Sequence, residues 1–248
     1  MSDYNDHYIA LKRNDLFKTC PDSYLDVLKF KVSTKRFKRN EIIFHENEIA
    51  DCFYIILSGK VRIYKLGPNG QSLSIIILQD NNFFGEIGIF SGVRTNFAEA
   101  MKETTLLRIE KKDFLDIMKN PYDSSFLEEI LKVISTWIIR ANKFMLSYSN
   151  KDTRSDVNIA LVLNDMAIRN SGMNILQLRK ELKNNFTIDA DISQKHMSQL
   201  AGLSSVRFNK KLKQMEEDSI ISIEKINGKV IGYKITDSTR FCEILNMT

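Results

Sequence analysis

Between Phe37 and Ile109 the chain offers only short β-rich runs, and turn signals separate them. The runs are Glu41–Phe44, Phe53–Leu57, Val61–Leu66, Leu73–Leu78 and Leu106–Ile109. Ser58-Gly59, Gly67-Pro68-Asn69-Gly70 and Asp80-Asn81-Asn82 punctuate them. Val61, Ile63 and Leu66 nearly alternate with Arg62, Tyr64 and Lys65, the pattern of a half-buried strand. Many short strands at this spacing predict an antiparallel barrel or jelly roll. Ahead of them, the first 20 residues read as a helical arm. Asp22 reads as the cap of a helix carrying Tyr24, Leu25, Val27 and Leu28.

Composition narrows the class. The longest apolar run is Cys52–Leu57, far short of the roughly 18 residues of a membrane span. The start, Met1-Ser2-Asp3-Tyr4-Asn5-Asp6, is acidic and polar, unlike a secretory leader. Cys20, Cys52 and Cys242 are odd in number and far apart, which predicts free thiols and a reducing cytoplasm. The 36 Lys and Arg against 31 Asp and Glu give a net charge of +5, which permits a polyanionic partner without requiring one.

The period changes at Ser124. Leu127, Ile130, Leu131, Ile134, Trp137, Ile138, Ala141, Phe144, Met145 and Tyr148 fill the a, d and e positions of three heptads. The spacing predicts a long helix over 124–149 that faces both a partner helix and its own barrel. A dimer interface of Leu127, Ile130, Ile134, Trp137, Ala141, Phe144 and Tyr148 is therefore expected, with a single buried core helix as the alternative. Asn150-Lys151-Asp152 reads as a hinge, followed by a helix from about Thr153 to Arg169. The next stretch predicts a helix over roughly 175–184 and a short strand at Phe186–Ile188.

Residues 192–235 carry the plainest functional pattern. Ser193 caps a helix with Met197, Leu200 and Ala201 on its apolar face. Ala201-Gly202-Leu203 makes a tight turn, and Ser204 caps a second helix whose buried face is Phe208, Leu212 and Met215. Ser205, Val206, Asn209, Lys210 and Lys213 fall on the other side. Such a helix-turn-helix lays its second helix in a DNA major groove. Between Ile192 and Met215 there are five basic residues (Lys195, Arg207, Lys210, Lys211, Lys213) and no acidic one. Cations of this kind supply phosphate affinity through counterion release. Ile221–Ile226, Asn227-Gly228 and Lys229–Ile235 then predict a hairpin, or wing, with Lys225 and Lys229 near flanking phosphate. Candidate DNA contacts are Ser193, Gln194, Ser204, Ser205, Val206, Arg207, Asn209, Lys210 and Lys229.

The segment from Phe44 to Val61, with His45-Glu46-Asn47-Glu48 and Leu57-Ser58-Gly59, resembles the β-roll signature of the bacterial Crp/Fnr superfamily of transcription regulators. Phe84-Gly85-Glu86-Ile87-Gly88-Ile89-Phe90, then Arg94-Thr95, resembles that family's phosphate-binding cassette. The likeness runs from about Val32 to Ile235. It implies an α+β chain: an N-terminal double-stranded β-helix (a jelly-roll-like cyclic-nucleotide-binding fold), a long dimerisation helix and a C-terminal winged helix-turn-helix. The corresponding domains are 1–121, 122–150 and 151–248. The residue matching Glu86 holds the ribose 2′-hydroxyl, and Arg94 matches the partner of the cyclic phosphate. Gly85, Ile87 and Thr95 cluster around the ligand, and Asn142 is the approximate match to a base-contacting position. The chemistry suits these residues: arginine's planar fork meets a phosphate bidentately, and an ionised carboxylate accepts from a hydroxyl.

The chain departs from the family at several points. Arg94 follows Glu86 by eight positions, one fewer than in typical cassettes, Asn96 replaces a small Ala, and Asn47 replaces a Gly. The family's Arg and Glu base readers have no counterpart at Ser205 and Val206, so the operator should differ from the usual consensus. The effector therefore stays open between a cyclic mononucleotide (cyclic-AMP-like), another small molecule, and none. A Glu86–Arg94 pair that merely closes the roll is the structural alternative at the site. An iron–sulfur cluster is not expected with three scattered Cys, and His7, His45 and His196 lack metal-ligand spacing. No enzyme motif is present, so the expectation is not an enzyme but a cytoplasmic homodimer. Its partner is a near-palindromic double-stranded DNA operator, with RNA polymerase as a further partner if it activates, and no membrane. A nucleotide sensor acting through protein contacts is the runner-up.

Overall fold

The computed structural model describes residues 2–14, 16–18, 20–66, 70, 72–119, 128, 131, 132, 134, 135, 138, 154–171, 173, 175–183 and 185–245. The chain divides into two compact units, Met1–Ile139 and Arg140–Thr248.

The first unit is an antiparallel roll of two four-stranded sheets. One sheet orders β1 (Ser33–Phe37), β8 (Thr104–Glu110), β3 (Cys52–Ser58) and β6 (Phe83–Phe84). The other orders β2 (Ile42–Phe44), β7 (Phe97–Ala100), β4 (Lys60–Leu66) and β5 (Ser72–Gln79). Helices α1 (Ser2–Arg13), α2 (Asp22–Leu28), α3 (Glu86–Ser91) and α4 (Lys111–Met118) accompany them.

Strand β3 explains the long apolar run. Side chains alternate along a strand, and both faces of β3 are covered. Phe53 and Ile55 join Leu11, Leu16, Phe17, Leu25 and Phe114 in a core beneath the helical arm. Cys52, Tyr54 and Ile56 face the roll interior with Phe44, Val61, Ile63, Phe84 and Leu106. Phe53 is fully buried, and truncating such a side chain costs about 3–5 kcal/mol. The arm is also tied down by polar groups: buried His7 hydrogen-bonds with the Lys29 carbonyl and the Thr34 hydroxyl, and Asn14 donates to the Asn81 carbonyl.

Several local expectations are corrected. β1 is a mostly exposed, polar edge strand with no apolar alternation to reveal it; it forms because it pairs with β8. β6, β7 and α4 are likewise additional to the sequence reading. Leu66 is exposed and Tyr64 buried, because a bulge between Ile63 and Tyr64 flips the alternation of β4. Asp22 is the first residue of α2, after Pro21, and makes no cap; it pairs with Lys12 at 2.7 Å. Within the expected long helix, residues 128, 131, 132, 134, 135 and 138 are helical, and Leu131, Ile134 and Ile138 are exposed. Leu127, Ile130, Trp137, Ala141, Asn142, Phe144, Tyr148 and the hinge 150–152 lie outside the described residues.

In the second unit, a helix Arg154–Ser171 packs on β9 (Phe186–Asp189) and on the helix Ser205–Glu217. A helix Ile175–Glu181 follows it, ending short of the expected residue 184. β9 adds to a three-stranded sheet with β11 (Lys229–Ile235) and β10 (Ile221–Ile226). A final helix, Ser238–Ile244, begins where the Asp237 carboxylate accepts from the Arg240 N–H; the sequence reading lacks it.

Candidate functional site

The cassette is a backbone device. β6 gives way to Gly85, whose φ of +90° is left-handed, and α3 starts at once with Glu86. The dihedral favours glycine, and an ideal Cβ at position 85 would stand 2.7 Å from Arg94 Nη1 and push the guanidinium aside. At Gly88 a Cβ would stand 2.7 Å from the Ala50 Cβ, so the helix sits tight against the loop before β3. That loop also holds Arg94: Asn47 N–H donates to the Arg94 carbonyl and Arg94 N–H donates to the Glu48 carbonyl, each at 2.8 Å. Asn47 takes a φ of +70°, a conformation asparagine tolerates where glycine is usual. The two motifs read separately in the sequence therefore meet at Arg94.

Arg94 is buried, at 3% exposure. Its Nη1 donates to the Gly85 carbonyl at 3.1 Å, its Nη2 donates to Cys52 Sγ at 3.3 Å, and its guanidinium lies 4.3 Å from the centre of the Phe44 ring. Among the described residues there is no ion pair between Arg94 and a carboxylate, so the Glu86–Arg94 pair is not formed. Gly85, Glu86, Ile87, Arg94 and Thr95 nevertheless line one cavity of about 130 Å³, walled by Phe44, Ile63 and Leu78. Burial pushes the Glu86 carboxyl up to about 7, against the opposing pull of its backbone hydrogen bond and of Arg94. Glu86 is therefore divided between protonation states near neutrality, rather than the plain carboxylate expected. Asn96 also lines the cavity, and its Nδ2 donates to Thr95 Oγ1 at 3.0 Å. Cys52 and Phe44 were missed as site residues; the inward register of β2 and β3 is the signal that would have placed them.

The helix-turn-helix forms as its caps predict. Ser193 Oγ accepts from the His196 N–H, and Ser204 Oγ from the Arg207 N–H. Each cap stabilises its helix by about 1 kcal/mol. Gly202 has a φ of +64° in the turn, and buried Asn158 donates to the Ala201 carbonyl there at 2.8 Å. Phe208, Leu212 and Met215 are buried, while Ser205, Val206, Arg207, Asn209, Lys210 and Lys213 are exposed. Lys211 is not part of the exposed basic set, because it pairs with Asp156 at 3.0 Å with both side chains mostly covered. Gln194 is half-buried; the nearby Tyr233 hydroxyl donates to Met197 Sδ at 3.1 Å. In the wing, Asn227 and Gly228 both take positive φ, as a two-residue type I′ turn requires, and leave Lys225 and Lys229 exposed.

A roll with a buried arginine in its cavity, followed in the chain by a capped helix-turn-helix and wing, is the architecture of CRP-like transcription regulators. Residues 34–120 match the cyclic nucleotide-binding domain family. The CRP-like cAMP-activated global transcriptional regulator of Mycobacterium tuberculosis is 27% identical over 231 residues, covering 93% of this chain and 96% of that one. The fold is shared with FixK2 from Bradyrhizobium japonicum (TM-score 0.63, 17% identity, 86% of this chain and 96% of that one). It is also shared with a CooA mutant from Carboxydothermus hydrogenoformans (TM-score 0.66, 18% identity, 88% and 89%). The protein carries a cyclic nucleotide-binding domain and is a homologue of the Crp/Fnr-type regulators. The global nitrogen regulator of Nostoc sp., 23% identical over 79% of this chain and 84% of that one, is a further relative that is a regulator. No described helix is long and apolar enough to cross a membrane.

Proposed function

We propose that this protein is a homodimeric, DNA-binding transcription regulator whose operator binding is gated by an anionic effector, a cyclic mononucleotide, held in the roll. The observation that carries the reading is Arg94: a buried cation without a carboxylate ion pair among the described residues, lining a cavity with Gly85, Glu86 and Thr95. A buried charge is costly until an opposite charge meets it, and a cyclic phosphate supplies that charge bidentately. Glu86, in its ionised form, accepts from a ribose hydroxyl, and Asn142 meets the base. The relative described as cAMP-activated supports this choice of effector.

The roll with its arm (1–121) senses, the heptad helix (122–150) joins two subunits through Leu127, Ile130, Ile134, Trp137, Ala141, Phe144 and Tyr148, and residues 151–248 read DNA. Effector binding shifts the population of two arrangements of the long helix, which requires different affinity for each. Two recognition helices then meet half-sites about 34 Å apart. Arg207, Lys210, Asn209, Ser205 and Val206 face base edges. Gln194, Lys229 and the capped helix starts at Ser193 and Ser204 face phosphate.

The test is selection of duplexes from a random pool, followed by affinity measurement with and without cyclic AMP and cyclic GMP. At least about a fivefold gain with one nucleotide is expected. Equal affinities in all three conditions would remove the gating, and failure to enrich any sequence would remove the operator.

A further inference from the structure

We propose that Cys52 is the residue that positions Arg94 for an anion, fixing the guanidinium without cancelling its charge. The inference deepens the reading of the roll as an effector site and rests on it for the identity of the anion, but the geometry of Arg94 can be tested without any effector.

Arg94 is held at three points: the Gly85 carbonyl at 3.1 Å, Cys52 Sγ at 3.3 Å and the Phe44 ring at 4.3 Å. None of the three carries a formal charge. A carboxylate in the place of Cys52 would fix the fork equally well, but as an ion pair it would take up the charge that the cavity offers to a ligand. The two hydrogen bonds use two of the five guanidinium N–H donors, leaving capacity for a bidentate anion.

Cys52 suits the task by position and by state. It lies 1% exposed on the inward face of β3, two residues before Tyr54, which faces the same way. Burial pushes its thiol up despite the nearby charges of Arg94 and Arg108, so it serves as a neutral acceptor. The polarisable sulfur is a weak partner, so an incoming phosphate can compete with it. Glu86, the one acidic residue lining the cavity among those described, forms no ion pair with Arg94 and does not replace Cys52 in this role.

The experiment compares the full chain with Cys52→Ser, which keeps an acceptor, and Cys52→Val, which removes the acceptor and stays apolar. Nitrogen-15 arginine side-chain spectra are recorded without effector, with Arg94→Lys identifying the Arg94 signals. Separate, slowly rotating Nη resonances are expected in the parent and in Cys52→Ser, and a collapsed, fast-rotating signal in Cys52→Val. Unchanged Arg94 signals in Cys52→Val would overturn the proposal; Cys52→Ala serves the same purpose if Cys52→Val does not fold. Cyclic AMP titration provides a second arm, where Cys52→Val should bind about tenfold more weakly and Cys52→Ser near the parent. Equal affinity in Cys52→Val and the parent also overturns it. If the parent binds neither cyclic AMP nor cyclic GMP, the effector reading fails, while the arginine spectra still decide the role of Cys52.

Discussion

Arg94 and Gly85 define each other: Nη1 of Arg94 donates to the Gly85 carbonyl at 3.1 Å, and the same nitrogen would lie 2.7 Å from any Cβ added at position 85. The backbone there is left-handed at a φ of +90°. Gly85→Ala therefore meets both dihedral strain and a displaced guanidinium. It should destabilise the roll by about 1–3 kcal/mol in urea unfolding. It should also abolish anion binding in calorimetry. A Gly85→Ala protein with parental stability and parental binding would show that the cradle tolerates a side chain.

Glu86 gives the roll a pH-dependent stability with a defined sign. Burial raises its carboxyl in the folded state to about 7, above its value in the unfolded chain. The native state then binds more protons than the unfolded one, so this contribution is complete in acid and is lost as pH rises through about 7. The loss is on the order of 3 kcal/mol across that window. Glu86→Gln should flatten the fall in unfolding free energy between pH 5 and 8. An identical slope in parent and variant would mean that Glu86 is ionised in the fold. The same titration bears on binding, since a carboxylate that accepts from a ribose hydroxyl should favour the effector above pH 7 more than below it.

The sequence was most legible where one local rule decided the outcome. Ser193 and Ser204 are caps because a short hydroxyl side chain before an amphipathic run has a free N–H to accept from. Asn227-Gly228 turns the wing because both residues tolerate positive φ. Legibility failed where pairing or packing across the fold decided. Ser33–Phe37 has no inward-facing apolar set and is a strand only through β8. The exposure of Leu66 follows from one bulge, which alternation cannot foresee. At the site, Gly85, Glu86, Ile87, Arg94 and Thr95 were readable as a motif and do line one cavity. Cys52 was not, because its part depends on the register that turns it toward Arg94.

Asn158 connects the first helix of the second unit to the turn between the reader helices, through a fully buried amide that donates to the Ala201 carbonyl at 2.8 Å. Asn158→Leu removes the donor and leaves a buried carbonyl unpaired, at a cost of about 1–3 kcal/mol. Thermal unfolding should show a lower midpoint for the second unit, and affinity for a selected duplex should drop with it. Stability and affinity both matching the parent would mean that the turn holds its shape without this bond.

The three neighbouring cations of the recognition helix should separate by function. Arg207 and Lys210 are exposed, whereas Lys211 is mostly covered and paired with Asp156. Arg207→Ala and Lys210→Ala should each weaken a selected duplex by about 1–3 kcal/mol if they reach base edges. Lys211→Ala should instead lower stability by about 1 kcal/mol, because the mostly covered ion pair gains modestly over solvent. It should leave the preferred sequence unchanged. Lys229→Ala, at the wing, should weaken all duplexes alike and reduce the slope of log affinity against log salt by about one. Salt titrations on one selected and one scrambled duplex distinguish these cases. If Lys211→Ala shifted the preferred sequence while Lys210→Ala did not, the face of the helix assigned to DNA would be wrong.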